Sequence, residues 1–350
     1  MKPIKQTRLY LEIHEQPDVI QKLVSDPQAP ILALAKEMQV RDLRRVFIAA
    51  RGTSDNAGRY AKYLLGAHNQ IDVSLATPSL FTIYKRPPNL KDSLVLGISQ
   101  SGKSPDIVSV IKEGKRQGAL TAALTNFPKS DLGKAADIVI SLQAGEERSL
   151  AATKTYTAQL TCIALLSAAL DPSQPYQEDL ENLPDQVAEN FTIEADIESL
   201  AERYRYMSHC AVIGRGLNYA TAFEFSLKLK ELTYTIAEPY SSADFLHGPV
   251  ALVDRGFPVF VIAPMGAMIP QMKALVEKVQ QRQAEVILLS DQIEMLAAVE
   301  QRIPLPTGVP EWLSPITAIL PGQMLAMYLA HTRNLDVDNP RGLSKVTETW

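Results

Sequence analysis

Cysteine is nearly absent from this 350-residue chain, which carries only Cys162 and Cys210. Two thiols on different predicted elements can build neither a disulfide framework nor a four-ligand zinc site, so a reducing, cytoplasmic setting is expected. Excess charge of one sign is also lacking. A formal net charge of -4 provides no general attraction to nucleic acid or to an anionic membrane, so an anionic ligand must be held by a local site. No apolar run approaches membrane-spanning length, and the first twenty residues, MKPIKQTRLYLEIHEQPDVI, are charged throughout where a signal peptide needs an apolar core. These absences predict a non-exported protein that binds small molecules through specific pockets. What is present is ordinary for a globular chain: 46% hydrophobic and 21% charged residues, over a length that suits two domains, each with its own core.

Internal comparison shows a duplication. Residues 45–66 (RVFIAARGTSDNAGRYAKYLLG) match 210–231 (CAVIGRGLNYATAFEFSLKLKE) as an apolar strand, an Arg-Gly turn and an amphipathic helix. Residues 93–102 (SLVLGISQSG) parallel 257–266 (FPVFVIAPMG), and 120–128 (LTAALTNFP) parallel 284–291 (AEVILLSD). The apolar stretches 149–171 and 314–336 both read as long buried helices, with Pro321 expected to kink the second. Short apolar strands alternating with helices predict an α/β fold in which each half is a doubly wound parallel sheet covered on both faces. The proline-rich, acidic stretch 171–185 reads as the linker, giving domains 1–180 and 181–350. In such sheets ligands bind beyond the carboxyl ends of the strands, where the topology reverses.

The chemistry-bearing motifs fall on those ends. Residues 97–104, GISQSGKS, follow a strand and open a helix at 105–116. They fit the pattern G-x-x-x-x-G-K-[ST] of a nucleotide-binding loop, yet the acidic residue needed to hold magnesium is missing from the same half; the nearest candidate, Asp291, lies in the other. The hydroxyls of Ser99, Ser101 and Ser104, with Gln100, instead suit a phosphate monoester held by neutral donors at a helix N-terminus. Gly52, Thr53 and Ser54 supply a second hydroxyl-rich turn, which alone reads as a helix cap. Glu224, Lys228 and Glu231 share one face of a helix at 218–236. That pattern suits either a solvated ion-pair stripe or, given Phe223, Phe225, Leu227, Leu229 and Leu232 beside it, a buried acid–base group. A glutamate poised by a lysine suits proton transfer between carbons 1 and 2 of a sugar. His247, in the turn-rich SSADFLHGPVAL, reads as structural or catalytic; Lys345, six residues from the end, reads as frayed tail or as an amine nucleophile toward a carbonyl.

These residues, with EIHEQP (12–17), RGTS (51–54), ISQSGKS (98–104), LAATKTYTAQL (150–160), LKLKELTY (227–234), AEPYSSADFLHGP (237–249) and DVDNPRGLSKVT (336–347), resemble the sugar isomerase (SIS) superfamily. The resemblance is closest to the isomerase region of glutamine–fructose-6-phosphate transaminase and its glutaminase-free relatives, the sugar-phosphate deaminases and isomerases. It implies two tandem SIS domains, each with a five-stranded sheet, and a tail that closes over the site. By that resemblance Thr53, Ser54, Ser99, Gln100, Ser101 and Ser104 would bind phosphate, Gly52, Ala151 and Ala152 would line the sugar, and Lys228 and Glu231 would orient the substrate and shuttle the proton, with Glu231 as the base. His247, contributed by the partner subunit of a homodimer, would help open the ring, and Lys345 would form a Schiff base with the open-chain keto-sugar.

Ala152 stands where the synthase pattern has a sugar-contacting serine, Glu146-Glu147-Arg148 is closer to deaminase-like relatives, and VTETW at 346–350 differs from the synthase terminus. No cysteine stands near the start to split glutamine. The resemblance therefore implies deamination and isomerisation of glucosamine 6-phosphate to fructose 6-phosphate and ammonia, with no cofactor or metal. A phosphosugar isomerase, a fructosamine-6-phosphate deglycase, the isomerase half of glucosamine-6-phosphate synthesis and a non-catalytic sugar-phosphate sensor are the alternatives. The expected partner is a hexose or hexosamine 6-phosphate, not nucleic acid or membrane.

Overall fold

The computed structural model describes residues 2–26 and 29–345, so the terminal VTETW lies outside the described residues. The chain divides into two compact units. One holds Asp18–Glu147 and Lys154–Glu181 together with Ser344 and Lys345; the other holds the described residues up to Pro17, then Arg148–Thr153 and Asn182–Leu343.

In the first unit, β1 (Arg45–Ala49), β2 (Asp72–Leu75), β3 (Leu94–Ile98), β4 (Leu120–Thr125) and β5 (Ile138–Ser141) form a sheet in the order β2-β1-β3-β4-β5, all parallel. The central β3 and β4 are buried at every residue, as expected where helices cover both faces. Helix α1 (Thr53–Asn69) buries Ala57, Tyr60, Ala61, Leu64 and Leu65, one stripe at i, i+3, i+4, i+7 and i+8. Helix α2 (Pro105–Arg116) begins with proline at its first position and ends with Lys115 and Arg116, each at the end where its backbone constraint or charge is favourable. Helix α3 (Lys154–Leu170) is buried on almost every side.

The second unit repeats this plan. Strands β6 (His209–Gly214), β7 (Ile236–Ser241), β8 (Pro258–Ile262), β9 (Glu285–Ser290) and β10 (Gln301–Pro304) lie parallel in the order β7-β6-β8-β9-β10, with helices α4 (Tyr219–Thr233), α5 (Ile269–Gln281) and α6 (Ser314–Thr332) in the matching chain positions. The duplication seen in the sequence is thus a duplication of topology. Helix α6 runs through Pro321 without interruption.

The stretch expected to be an irregular linker is mostly helical, at Tyr176–Glu189, despite Pro184 inside it. Leu180, Leu183 and Val187 are buried at i, i+3 and i+7, and Glu178 and Asp179 sit in the first turn, where acids favour a helix start. Counting prolines missed that stripe.

Helices α4 and α6 touch where Gly322 meets the Phe225 ring; a Cβ at 322 would lie 2.8 Å from a ring carbon. An alanine inside a helix is ordinarily more stable than glycine by about 0.5–1 kcal/mol. Here the contact reverses the sign: Gly322→Ala is expected to cost about 1–3 kcal/mol through overpacking. A shift of the urea midpoint to lower concentration checks this, and a shift upward would show that the two helices can part freely.

Candidate active site

In the first sheet the chain leaves β1 for β2 on one side and crosses to β3 on the other, so the turns after β1 and β3 flank the point of reversal. Both predicted hydroxyl-rich turns sit there. Gly52 adopts φ +52° immediately before α1. Ser54 is buried, and its Oγ accepts a hydrogen bond from Gln159 Nε2 of α3 at 3.0 Å. After β3, Ser99 Oγ accepts from the N–H of Gly102 at 3.1 Å and Ser101 Oγ accepts from the N–H of Lys103 at 3.3 Å. Neither bond uses the hydroxyl proton, which remains to be donated to an oxygen anion. Ser104 caps α2 through its backbone while its side chain makes no capping bond.

Gly102 is fixed by this turn: its φ is +63°, and a Cβ would lie 2.0 Å from Ser130 Oγ. Arg51 Nε joins the turn after β1 to the first turn of α2 by an ion pair with buried Asp106 at 2.9 Å, while half of the arginine side chain stays exposed. The equivalent turns of the second sheet carry Leu217, Asn218, Ala263, Met265 and Met268 in place of these hydroxyls. The hydroxyl-lined turns therefore belong to the first unit.

Gln100 and Ser101 also line a cavity of about 640 Å³, with Lys103, Phe127, Lys129, Glu147 and Lys345 among its other walls. The structure thus brings Lys345 beside the serine turn, although Gln100 and Ser101 precede it by 245 and 244 positions in the chain. Its Nζ lies 3.4 Å from Oε2 of Glu147, whose side chain is fully buried. Glu147 is itself oriented by Thr155, which donates its N–H at 3.1 Å and its hydroxyl at 2.6 Å.

The second unit holds a cluster of buried charges. On α4, Lys228 Nζ lies 3.3 Å from Glu224 Oε1 and 2.5 Å from Glu231 Oε2. Side-chain exposure is 1% for Lys228, 0% for Glu224 and 20% for Glu231. This is a buried triad, and the solvated-stripe alternative is set aside; the other side of the helix has such a pair, Lys230 with Glu238. Burial opposes the Lys228 charge, but the adjacent Glu224 and Glu231 carboxylates outweigh it and hold its pKa above the ordinary lysine value. Lys228 is thus held as a cation, unsuited to nucleophilic attack, and Glu231 is the one of the two carboxylates that reaches solvent.

His247 is exposed, at the end of the short helix Ser242–Leu246, with its backbone N–H donated to Asp244 O at 3.1 Å. Ala151 is fully buried and Ala152 partly so, in the loop 148–153. Buried Glu12, from EIHEQP, accepts the backbone N–H groups of Arg148 and Ser149 in that loop. Sequence reasoning assigned no role to Glu12, Glu147 or Arg51. The Arg-Gly repetition after both first strands was a signal for Arg51, whereas Glu12 and Glu147 act through partners distant in sequence and left no local pattern.

The SIS domain family profile matches residues 39–169 and 206–333. The glutamine–fructose-6-phosphate aminotransferase (isomerizing) of Gloeobacter violaceus is 36% identical over 95% of this chain and 57% of its own length. The chain therefore spans little more than half of the curated relatives it matches. The solved C-terminal domain of glucosamine-fructose-6-phosphate aminotransferase from Francisella tularensis superposes with a TM-score of 0.87 at 29% identity, covering 96% of this chain and 98% of that one. Glucosamine-6-phosphate deaminase from Thermotoga maritima, at 21% identity and a TM-score of 0.79 over 98% of this chain and all of that one, shares the fold.

Removing the cation while leaving two buried carboxylates should be costly: Lys228→Met is expected to lose about 3–5 kcal/mol in urea unfolding. Because the folded state holds the Lys228 proton more tightly than the unfolded chain, its stabilisation is complete below the ordinary lysine pKa of about 10.4 and declines as pH rises past it. The stability gap between wild type and Lys228→Met should therefore be widest below about pH 10 and narrow above it. A gap that is small, or that widens with rising pH, would contradict the triad.

Proposed function

We propose, from the premise that the chain belongs to the SIS domain family, that it isomerises a hexosamine 6-phosphate and releases its nitrogen, converting glucosamine 6-phosphate and water to fructose 6-phosphate and ammonia. The observation that carries this reading is the fully buried Lys228 cation, which is paired with Glu231, the one of its two carboxylate partners with access to solvent. A sensor that only binds sugar phosphate has no use for so costly a buried group.

The roles follow from the chemistry. The hydroxyls of Thr53, Ser54, Ser99, Ser101 and Ser104, with Gln100 and the N-terminus of α2, hold the phosphate dianion without a counter-cation. His247, supplied by the neighbouring copy in a homodimer, opens the pyranose ring. Glu231 then removes the proton from carbon 2 and returns it to carbon 1, while the Lys228 charge stabilises the electron-rich intermediate. The amine at carbon 2 becomes an imine. Lys345 displaces ammonia from it, forming a Schiff base that water hydrolyses to the ketose. Gly52, Ala151 and Ala152 line the sugar with backbone and small side chains. Every step uses acid–base groups of the chain.

A second reading draws on the cavity next to Ser101. Its volume of about 640 Å³ and its Phe127, Lys103 and Lys129 walls suit a larger nitrogen substituent, such as an amino acid linked to fructose 6-phosphate. The same acid–base groups would serve that substrate.

Purified protein incubated with glucosamine 6-phosphate is expected to yield ammonia and fructose 6-phosphate in equal amounts. Release of neither, with turnover of the amino-acid adduct instead, would favour the second reading; turnover of no phosphosugar in a panel would remove the assignment. Glu231→Gln is expected to bind substrate normally and to lower kcat by about 10²–10⁴, and undiminished kcat would exclude Glu231 from the mechanism.

A further inference from the structure

The cavity beside the serine turn contains an acid that the mechanism above does not use. Glu147 is 0% exposed and its Oε2 faces both the Thr155 hydroxyl, at 2.6 Å, and Lys345 Nζ, at 3.4 Å. The Thr155 N–H goes to Oε1 at 3.1 Å. The carboxylate that anchors the start of α3 through Thr155 thus also reaches the lysine. Placing one with no solvent access next to a lysine on a cavity wall creates a site where a proton can pass between them at little cost in charge separation.

We infer that Glu147 is the proton acceptor and charge partner of Lys345 in Schiff-base formation, an inference that rests on the Schiff-base role proposed above. Attack requires the neutral amine, whereas the product is a cation. Glu147 takes one proton from the Lys345 ammonium, and the freed lone pair adds to carbon 2 of an open-chain ketose 6-phosphate. The carbon–nitrogen bond forms as the carbonyl opens to a hydroxyl. Glu147 returns its proton to that hydroxyl, which leaves as water. Ammonium plus ketone has become protonated imine plus water, with one positive charge on each side. The Glu147 carboxylate ends beside the iminium as it began beside the ammonium. In ammonia displacement Glu147 takes the same proton from the Lys345 ammonium and, once the amine has added to the carbon-2 imine, returns it to the departing nitrogen, which leaves as ammonia.

Reductive trapping tests this. Wild-type protein is mixed with fructose 6-phosphate and sodium borohydride across a pH series, and the adduct on the peptide bearing Lys345 is followed by mass. Trapping should be rapid and nearly independent of pH around neutrality. Glu147→Gln keeps the shape and can still accept from Thr155, but should slow trapping by about 10²-fold at pH 7, with a rate that climbs as pH rises because solvent must remove the ammonium proton. Glu147→Asp, which retains the charge one methylene further back, should slow trapping less and keep the wild-type pH profile; it carries the test if the glutamine variant does not fold. Trapping of either variant at the wild-type rate and pH profile would overturn the role of Glu147 while leaving the Schiff base intact. Absence of a Lys345 adduct in wild-type protein would instead remove the Schiff base, and this inference with it.

Discussion

Charge in the protein interior must be compensated where it stands, and the second unit is built around one such case. Lys228 has essentially no access to water, so its ammonium persists only because Glu224 and Glu231 lie on the same helix face at the i-4 and i+3 positions. Holding that arrangement dry requires cover. Helix α4 packs against β6, β7 and α6, and α6 is apolar and buried along nearly its whole length. The Gly322 contact with Phe225 lets those two helices approach closely. What results is a helix on which a buried cation is held between two carboxylates, of which Glu231 reaches solvent.

The duplicated topology gives each unit its own pair of turns, and the two units use theirs differently. Both sheets reverse direction between equivalent strands, and each therefore presents two strand-to-helix turns at its carboxyl edge. In the first unit those turns carry threonine and serines; in the second, leucine, asparagine, alanine and methionines occupy the same places. Conversely, the buried Lys228 triad has no counterpart on α1, where the equivalent positions 60, 64 and 67 hold Tyr60, Leu64 and Ala67. One scaffold thus carries hydroxyl-lined turns in one copy and a buried ion-pair triad in the other.

How much of this the sequence revealed depends on the distance over which each residue acts. The repeat, the strand–turn–helix units and the serine turn are local patterns of period and turn chemistry, and the helix expected at 105–116 forms at Pro105–Arg116. The Lys228 triad was legible because its three members share one helix; which reading of it held, stripe or buried group, depended on packing from other elements. Glu147 was not legible. It lies in an irregular loop, and its partner Lys345 is 198 residues away, so no periodicity could join them. The helix at Tyr176–Glu189 was missed for a different reason: Pro184 and the acids masked an apolar stripe only three residues wide. His247 lies exposed at the end of the short helix Ser242–Leu246, so no packing distinguishes its two readings.

The central claim is that Glu231, held by a permanently charged Lys228, exchanges a proton with a phosphosugar carbon. Fructose 6-phosphate kept with the protein in deuterium oxide and observed by proton NMR tests it most directly. The account predicts stereospecific loss of one carbon-1 proton signal with wild-type protein and none with Glu231→Ala, although both bind the sugar. Binding without exchange in the wild type, or exchange that survives in Glu231→Ala, would contradict it.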